Sequence, residues 1–453
     1  MSGDSTSTAV EPGQQGAPPV PLRRNLRFQA LWAGQACATL GMRVGDTAYP
    51  LLVLALTDSP TAAGAFGAVQ MTATLLLGIH GGAVADRFDR RRVLITADAA
   101  RLLASASVPA AMALHRLTLV HLLLVAVVVG ATVAYSGPLR MLALRSVVAP
   151  EQLTQALAQE EARMSGASLA GPPLAGFLLG LGHAVPFLGT ALASVAAVVS
   201  ALVVRFPGRP EQAGESAAAG SRPGGALEGF RYLASAPLLR PALAVLLVIN
   251  LAGTALVLPV MVVLRDQGTG SAGIGLALAG EALGALAGTV LVSRLHRLAG
   301  PGVLLLVTAW IAVPVPLAPL LPGGAATVFV ALFVVGAGIP ALRVMIDLLV
   351  FQQVPDALRG RVIAATITLI TAGMPAGTFG SGLLLDHLSP TAALAAVSGL
   401  FAAALLPATA SRTLRRAAWP AAPGTEGTEI SKAAEVPETS DAAAAAETPG
   451  AHP

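Results

Sequence analysis

LVHLLLVAVVVGATVAY, residues 119–135, is apolar on every face of a helix, and a helix of that length covers most of the roughly 30 Å of hydrocarbon in a bilayer. A surface helix of a soluble protein keeps a polar face, and a barrel strand alternates over about 10 residues; this stretch does neither. Similar blocks recur along the chain, separated by short breaks that carry Gly, Pro and Arg. With 55% hydrophobic residues and a mean hydropathy of +0.73, the 453 residues cannot surround themselves with a water-facing surface. The expected fold class is all-α and integral to a membrane, with about twelve transmembrane helices between residues 29 and 410.

Charge gives the orientation. The arginines around positions 23–27, 87–92, 140–145, 205–240, 294–297, 359–361 and 412–416 fall on one side of these spans, whereas Arg116 and Arg265 fall on the other. By the positive-inside rule both termini are expected in the cytoplasm, with the chain multi-pass in a bacterial inner membrane. The formal net charge of +4 and pI near 9.9 are then consequences of topology, and a nucleic-acid partner is not expected. The single cysteine, Cys37, lies within the first apolar block, so no disulfide framework or cysteine metal site is available.

Residues 1–25 and 412–453 read as disordered cytosolic tails, rich in Gly, Pro and Ala. A break at 206–240 contains a short amphipathic segment, ALEGFRYLASAP, and separates a six-helix half at 26–205 from another at 241–411. The halves repeat one another: Gly171, Pro172 and Gly176 in the fifth block find counterparts in Gly373, Pro375 and Gly380 of the eleventh. Two such halves around a central cavity can carry a solute across a bilayer by rocking against each other.

GGAVADRFDRRR, residues 81–92, crowds two carboxylates and four arginines into a chain that is only 11% charged. The segment resembles the loop between the second and third spans of the major facilitator superfamily, matching it at Gly82, Asp86, Arg87, Arg90, Arg91 and Arg92, with Asp89 where that pattern has a second glycine. Residues 28–64 resemble the start of its drug-efflux branch, which includes macrolide and enterobactin exporters. That branch commonly places an acid directly after a Leu-Gly of the first span; here Leu40-Gly41 is followed by Met42, and the acid is Asp46. GASLAGPPLAG, with Gly166, Gly171, Pro172 and Gly176, is similar to the fifth-span motif of the superfamily's antiporters. The resemblance covers about residues 26–410 and implies export by alternating access, with protons as the coupling ion.

Ionisable residues inside spans cost about 2.5–3.5 kcal/mol on insertion scales unless they face a cavity or a partner. Asp46 and Arg43, three residues apart in the first span, share a helix face and read either as a coupling site or as a structural pair. Glu281, in the middle of the eighth span, is expected to bind a proton or a cationic solute, with helix packing as the alternative. Asn250 in the seventh span is a candidate substrate ligand, although a helix–helix bond is its commoner use. Asp98 with Arg101, and Arg343 with Asp347, are expected to form structural or gating pairs near the arginine-bearing side, not substrate ligands. Asp86 and Arg87 are expected to latch the two halves in one state; Arg90 to Arg92 fit that role or a topological one equally. Glu160 and Glu161 read as charges at the N-terminus of the fifth span.

The chain has no GxxxxGK[ST], HExxH or GxSxG motif and no Cys/His cluster, so an enzyme, a metal site or a bound cofactor is not expected. The expected function is a monomeric proton antiporter, with sodium as another coupling ion, that exports a moderately hydrophobic antibiotic, drug or secondary metabolite. The alternatives are uptake by the same fold and a non-transporting membrane sensor or scaffold.

Overall fold

The computed structural model describes residues 21–204, 225–236, 239–298, 300–354 and 356–415, without the side chains of 79–87, 292–298, 344–353 and a few single positions. Among the described residues every regular element is helical. Six helices form the N-terminal half: α1 (Leu26–Thr57), α2 (Pro60–Arg87), α3 (Arg90–Ala113), α4 (Leu119–Val147), α5 (Leu153–Leu181) and α6 (Val185–Val203). A linker helix, α7 (Gly225–Ser235), precedes the second half: α8 (Leu239–Asp266), α9 (Ser271–Leu298), α10 (Pro301–Ala312), α11 (Ala325–Gln353), α12 (Asp356–His387), α13 (Pro390–Ala410) and the short α14 (Arg412–Arg415). The long helices run alternately up and down. The ends near Leu26, Arg90 and Arg412 are therefore called the basic side, and the other ends the far side.

Eleven segments among the described residues are long and apolar enough to cross a membrane. α1 is not one of them, although its 32 residues suffice in length, because it carries Arg43 and Asp46 in its middle. The ninth span is broken: α10 stops at Ala312 and a 3-10 turn over Val315–Leu320 completes the crossing. Pro314, Pro316 and Pro319 explain the break, since each removes a backbone N–H that an α-helix would use.

Three sequence expectations change here. Residues 21–25, expected in the N-terminal tail, are packed on the helices: Leu22 is buried, and the Asn25 side chain caps α1 through the Phe28 amide and donates from Nδ2 to the Val147 carbonyl at 2.8 Å. Glu160 and Glu161 lie two turns inside α5, because that helix begins at Leu153 beyond the apolar block. Gly380 faces open space, and it is Gly382 that packs against α2. Residues 1–20 and 416–453, expected as tails, and most of the 206–240 linker lie outside the described residues.

Apolar packing differs between the two sides. At the far side one buried cluster joins both halves, with Tyr49, Leu52, Phe66 and Phe187 packed among Leu258, Leu385 and Ala393. At the basic side the clusters are segregated: Leu31, Leu94 and Ala201 belong to the N-terminal half, as do Phe28 and Leu144, while Leu239, Leu305, Val362 and Phe401 belong to the other. α7 packs on α12 of the second half and is fastened there by an ion pair between Glu228 and Arg361.

Candidate functional site

The halves meet along two seams, α5 against α9 and α2 against α12. Each seam rests on glycines near the far side. A Cβ on Gly176 would collide with the Ser271 carbonyl, and one on Gly275 with the Pro172 carbonyl. Across the other seam a Cβ on Gly64 would stand 2.7 Å from the Thr378 carbonyl oxygen, and one on Gly382 2.6 Å from that of Pro60. Backbones this close leave no passage, and the shared apolar cluster fills what remains. The molecule is thus shut at the far side. Two of the four residues read as an antiporter-like motif, Gly176 and Pro172, act in this seam; Gly171 seats α5 on the backbone of Arg43, and a Cβ on Gly166 would meet nothing within 4 Å.

Halfway along these helices lies a polar group. Arg43 Nη1 and Asp46 Oδ2 form an ion pair at 3.4 Å, and Gln70 Nε2 of α2 donates to Asp46 Oδ1 at 3.4 Å. Arg43 also acts electrostatically on Glu281 of α9, which brings charges from both halves together. The Arg43 and Asp46 side chains keep 36% and 38% of their exposure although they sit mid-helix on the joint between halves, so open space lies beside them. Gln70 carries no charge, so its own stretch of sequence does not mark it. A structural repeat identifies it: the Gln70 carbonyl receives Gly130 of α4, as the Glu281 carbonyl receives Gly336 of α11. Gln70 and Glu281 hold equivalent places in the two halves. Asn250 stands apart, its Nδ2 donating to the Leu246 carbonyl of its own helix at 3.0 Å.

A second charged group is confined to the N-terminal half. Asp98 is fully buried, and its Oδ1 accepts from Arg101 Nη2 and from Arg140 Nη2, each at 2.7 Å. Arg163 forms an ion pair with Glu160 and donates from Nη1 to the Gln35 carbonyl at 2.9 Å and to the Thr39 hydroxyl. The Asp98–Arg101 pair was legible from its spacing. By its position Arg140 reads as a topology charge, and the sequence signal for the other pair, which the expectation of N-terminal charges at Glu160 and Glu161 leaves unused, is the interval of three residues from Glu160 to Arg163.

In the loop resembling the superfamily pattern, Asp89 caps α3 by accepting from the Arg92 amide at 2.9 Å. Its φ of −60° is ordinary for any residue, so a glycine is not needed there. Arg91 donates from Nη2 to the Leu202 carbonyl at the end of α6, at 2.7 Å, which ties it within its own half. The side chains of Gly82's neighbours Asp86 and Arg87 lie outside the described residues, as does that of Asp347, the expected partner of the exposed Arg343.

Against known proteins, the profile of the transmembrane secretion effectors, a major facilitator family, matches residues 17–422. The chain belongs to this family. As a transmembrane secretion effector it is a multi-pass membrane transporter and not an enzyme. It is 28% identical over 375 residues to the multidrug efflux pump Tap of Mycobacterium tuberculosis and of Mycobacterium bovis, covering 77% of this chain and 85% of the mycobacterial protein. Among solved structures it is similar to the nucleoside transporter NupG, with a TM-score of 0.66 and 14% identity over 85% of this chain and 98% of that one. A bacterial homologue of the iron transporter ferroportin in its inward-facing state gives a TM-score of 0.62 with 18% identity, over 86% and 100%. These two likenesses show that secretion effectors of this sequence share the major facilitator fold.

Proposed function

We propose that this transporter exports a small, moderately hydrophobic molecule from the cytoplasm in exchange for protons, working as a monomer in a bacterial cell membrane. The observation that carries this reading is the polar group at mid-depth, where Arg43, Asp46 and Gln70 of one half meet the field of Glu281 from the other. Carboxylates at that depth are costly unless they pair or face a cavity, and such residues mark the paths of ions and substrates. The positive-inside rule puts the basic side in the cytoplasm. The cleft is then closed to the outside and faces the compartment in which an exporter loads. Likeness to a multidrug efflux pump supports outward transport of an antibiotic, drug or secondary metabolite.

In the proposed cycle, substrate enters from the basic side and reaches the cleft beside Arg43 and Asp46. The far-side cluster then parts as the halves rock, and a proton taken up by Asp46 or Glu281 from outside resets the state. Asp86 and Arg87, with Arg90 and Arg92, serve as the cytoplasmic latch of the outward-open state, while Arg343 and Asp347 pair on the same side.

The test is drug tolerance in a pump-deficient bacterial host, with proton flux followed in inverted membrane vesicles. Wild type is expected to raise tolerance and to drive protons against the solute. Asp46→Asn and Glu281→Gln, at matched membrane levels, should each lower tolerance by at least roughly tenfold, the factor that about 1.4 kcal/mol gives. Tolerance that survives both substitutions, or solute accumulation without proton movement, refutes the mechanism.

A further inference from the structure

Outside the transport path, the surface of α10 forms a groove of about 430 Å³ lined by Val303, Leu306, Val307, Trp310 and Ile311, and Arg415 of α14 stands at it. We propose that this groove is a binding site for an anionic phospholipid, with one acyl chain along α10 and the phosphate on Arg415. The inference does not depend on what is transported.

Three observations point to this occupant. The lining residues recur at intervals of three and four, so they form one face of α10, and Val303 to Ile311 spans about 12 Å from the basic side toward the membrane centre. Val303, Val307 and Ile311 keep 40%, 49% and 43% of their exposure, so the fold leaves this face uncovered. Trp310 is held in place by its indole N–H, which donates to the Thr409 hydroxyl at 2.9 Å, and forms part of the groove wall.

The charge at the mouth completes the match. Arg412 and Arg415 are exposed and enter no ion pair among the described residues. They follow the last span directly on the basic side, and a residue just past the end of a span falls in the headgroup region of a bilayer. An arginine fork binds a phosphate in two-pronged fashion, and a basic residue at the surface gains about 1 kcal/mol from anionic lipid. A zwitterionic lipid offers the same chain but no net charge for Arg415 to neutralise, so the site selects for charge.

The experiment is native mass spectrometry of the full-length protein with equimolar phosphatidylglycerol and phosphatidylcholine. Wild type should retain phosphatidylglycerol in preference, by about five-fold, the factor equivalent to about 1 kcal/mol. Arg415→Gln should abolish the preference while leaving chain binding. Val307→Trp, which fills the groove without touching the charge, should lower retention of both lipids. Millimolar inorganic phosphate should not displace the lipid. Equal retention of the two lipids by wild type, a preference untouched by Arg415→Gln, retention untouched by Val307→Trp, or displacement by free phosphate each overturns the proposal.

Discussion

The two halves share one topology and are held together by different means. In the N-terminal half, buried charge links the helices: Asp98 of α3 takes Arg140 of α4, and Arg163 of α5 reaches α1 through Gln35 and Thr39. In the C-terminal half the largest helix contact, α9 against α11, is built on backbone approach. Gly280, Gly284 and Gly288 of α9 sit on the carbonyls of Phe329, Phe333 and Ala337, and Gly336 of α11 sits on that of Glu281. Hydrocarbon gives helices no hydrophobic drive to associate, so close packing and polar contacts must do so; both halves use glycine approach, and the N-terminal half adds buried charge between helices. Charges can change partners over a few ångströms, whereas a glycine seated on a carbonyl has a single fitting position. The N-terminal half is therefore suited to rearrange internally, and α9 with α11 to move as a unit that carries Glu281.

The largest test of that contrast is Gly284→Leu. A side chain there collides with the Phe333 backbone, which cannot step aside, so α9 and α11 should part at a cost on the order of 4 kcal/mol or more. Size-exclusion chromatography in detergent should show little monodisperse protein, and a normal profile would break the claim that this half depends on backbone approach. Asp98→Asn strands Arg101 and Arg140 without their buried acceptor charge and should cost about 3–5 kcal/mol, read as a lower midpoint of thermal aggregation. An unchanged midpoint would mean that charge does not hold the N-terminal half.

A third test moves function rather than stability. Since Gln70 and Glu281 occupy equivalent places, Gln70→Glu combined with Glu281→Gln returns a carboxyl to the cleft from the other side. Proton-linked transport should partly recover relative to Glu281→Gln alone; no recovery would show that the rigid α9–α11 unit is required to carry the charge. Arg91→Ala removes a charge-assisted bond to the Leu202 carbonyl and should cost about 1.5 kcal/mol. Gly253→Ala, whose new methyl meets nothing within 4 Å, should be neutral or stabilise α8 by up to about 1 kcal/mol, as measured by the same thermal assay.

Much of the fold was legible because membrane insertion writes it locally: the length of an apolar block gives a span, and arginines between blocks give its direction. Within-helix pairs were legible for a similar reason, since Asp98 with Arg101 and Arg43 with Asp46 need only a spacing of three. Gln70 and Arg140 were not, because their importance comes from partners on other helices, 24 and 42 residues away in sequence. The kinship of the Gly/Pro motifs was legible, but its register was not. Gly382 replaces Gly380 at the seam because the alignment of repeats by residue type ignores which helix face each glycine presents.

Cys37, the single cysteine of the chain, is exposed on α1, a few residues from the Gly34 and Gly41 contacts with α6. Nature has thus left the molecule with one thiol already in place on a helix of the N-terminal half. One added cysteine on α8 or α11 would turn it into a two-point ruler for spin-label or fluorescence distances, with no background thiols to remove first.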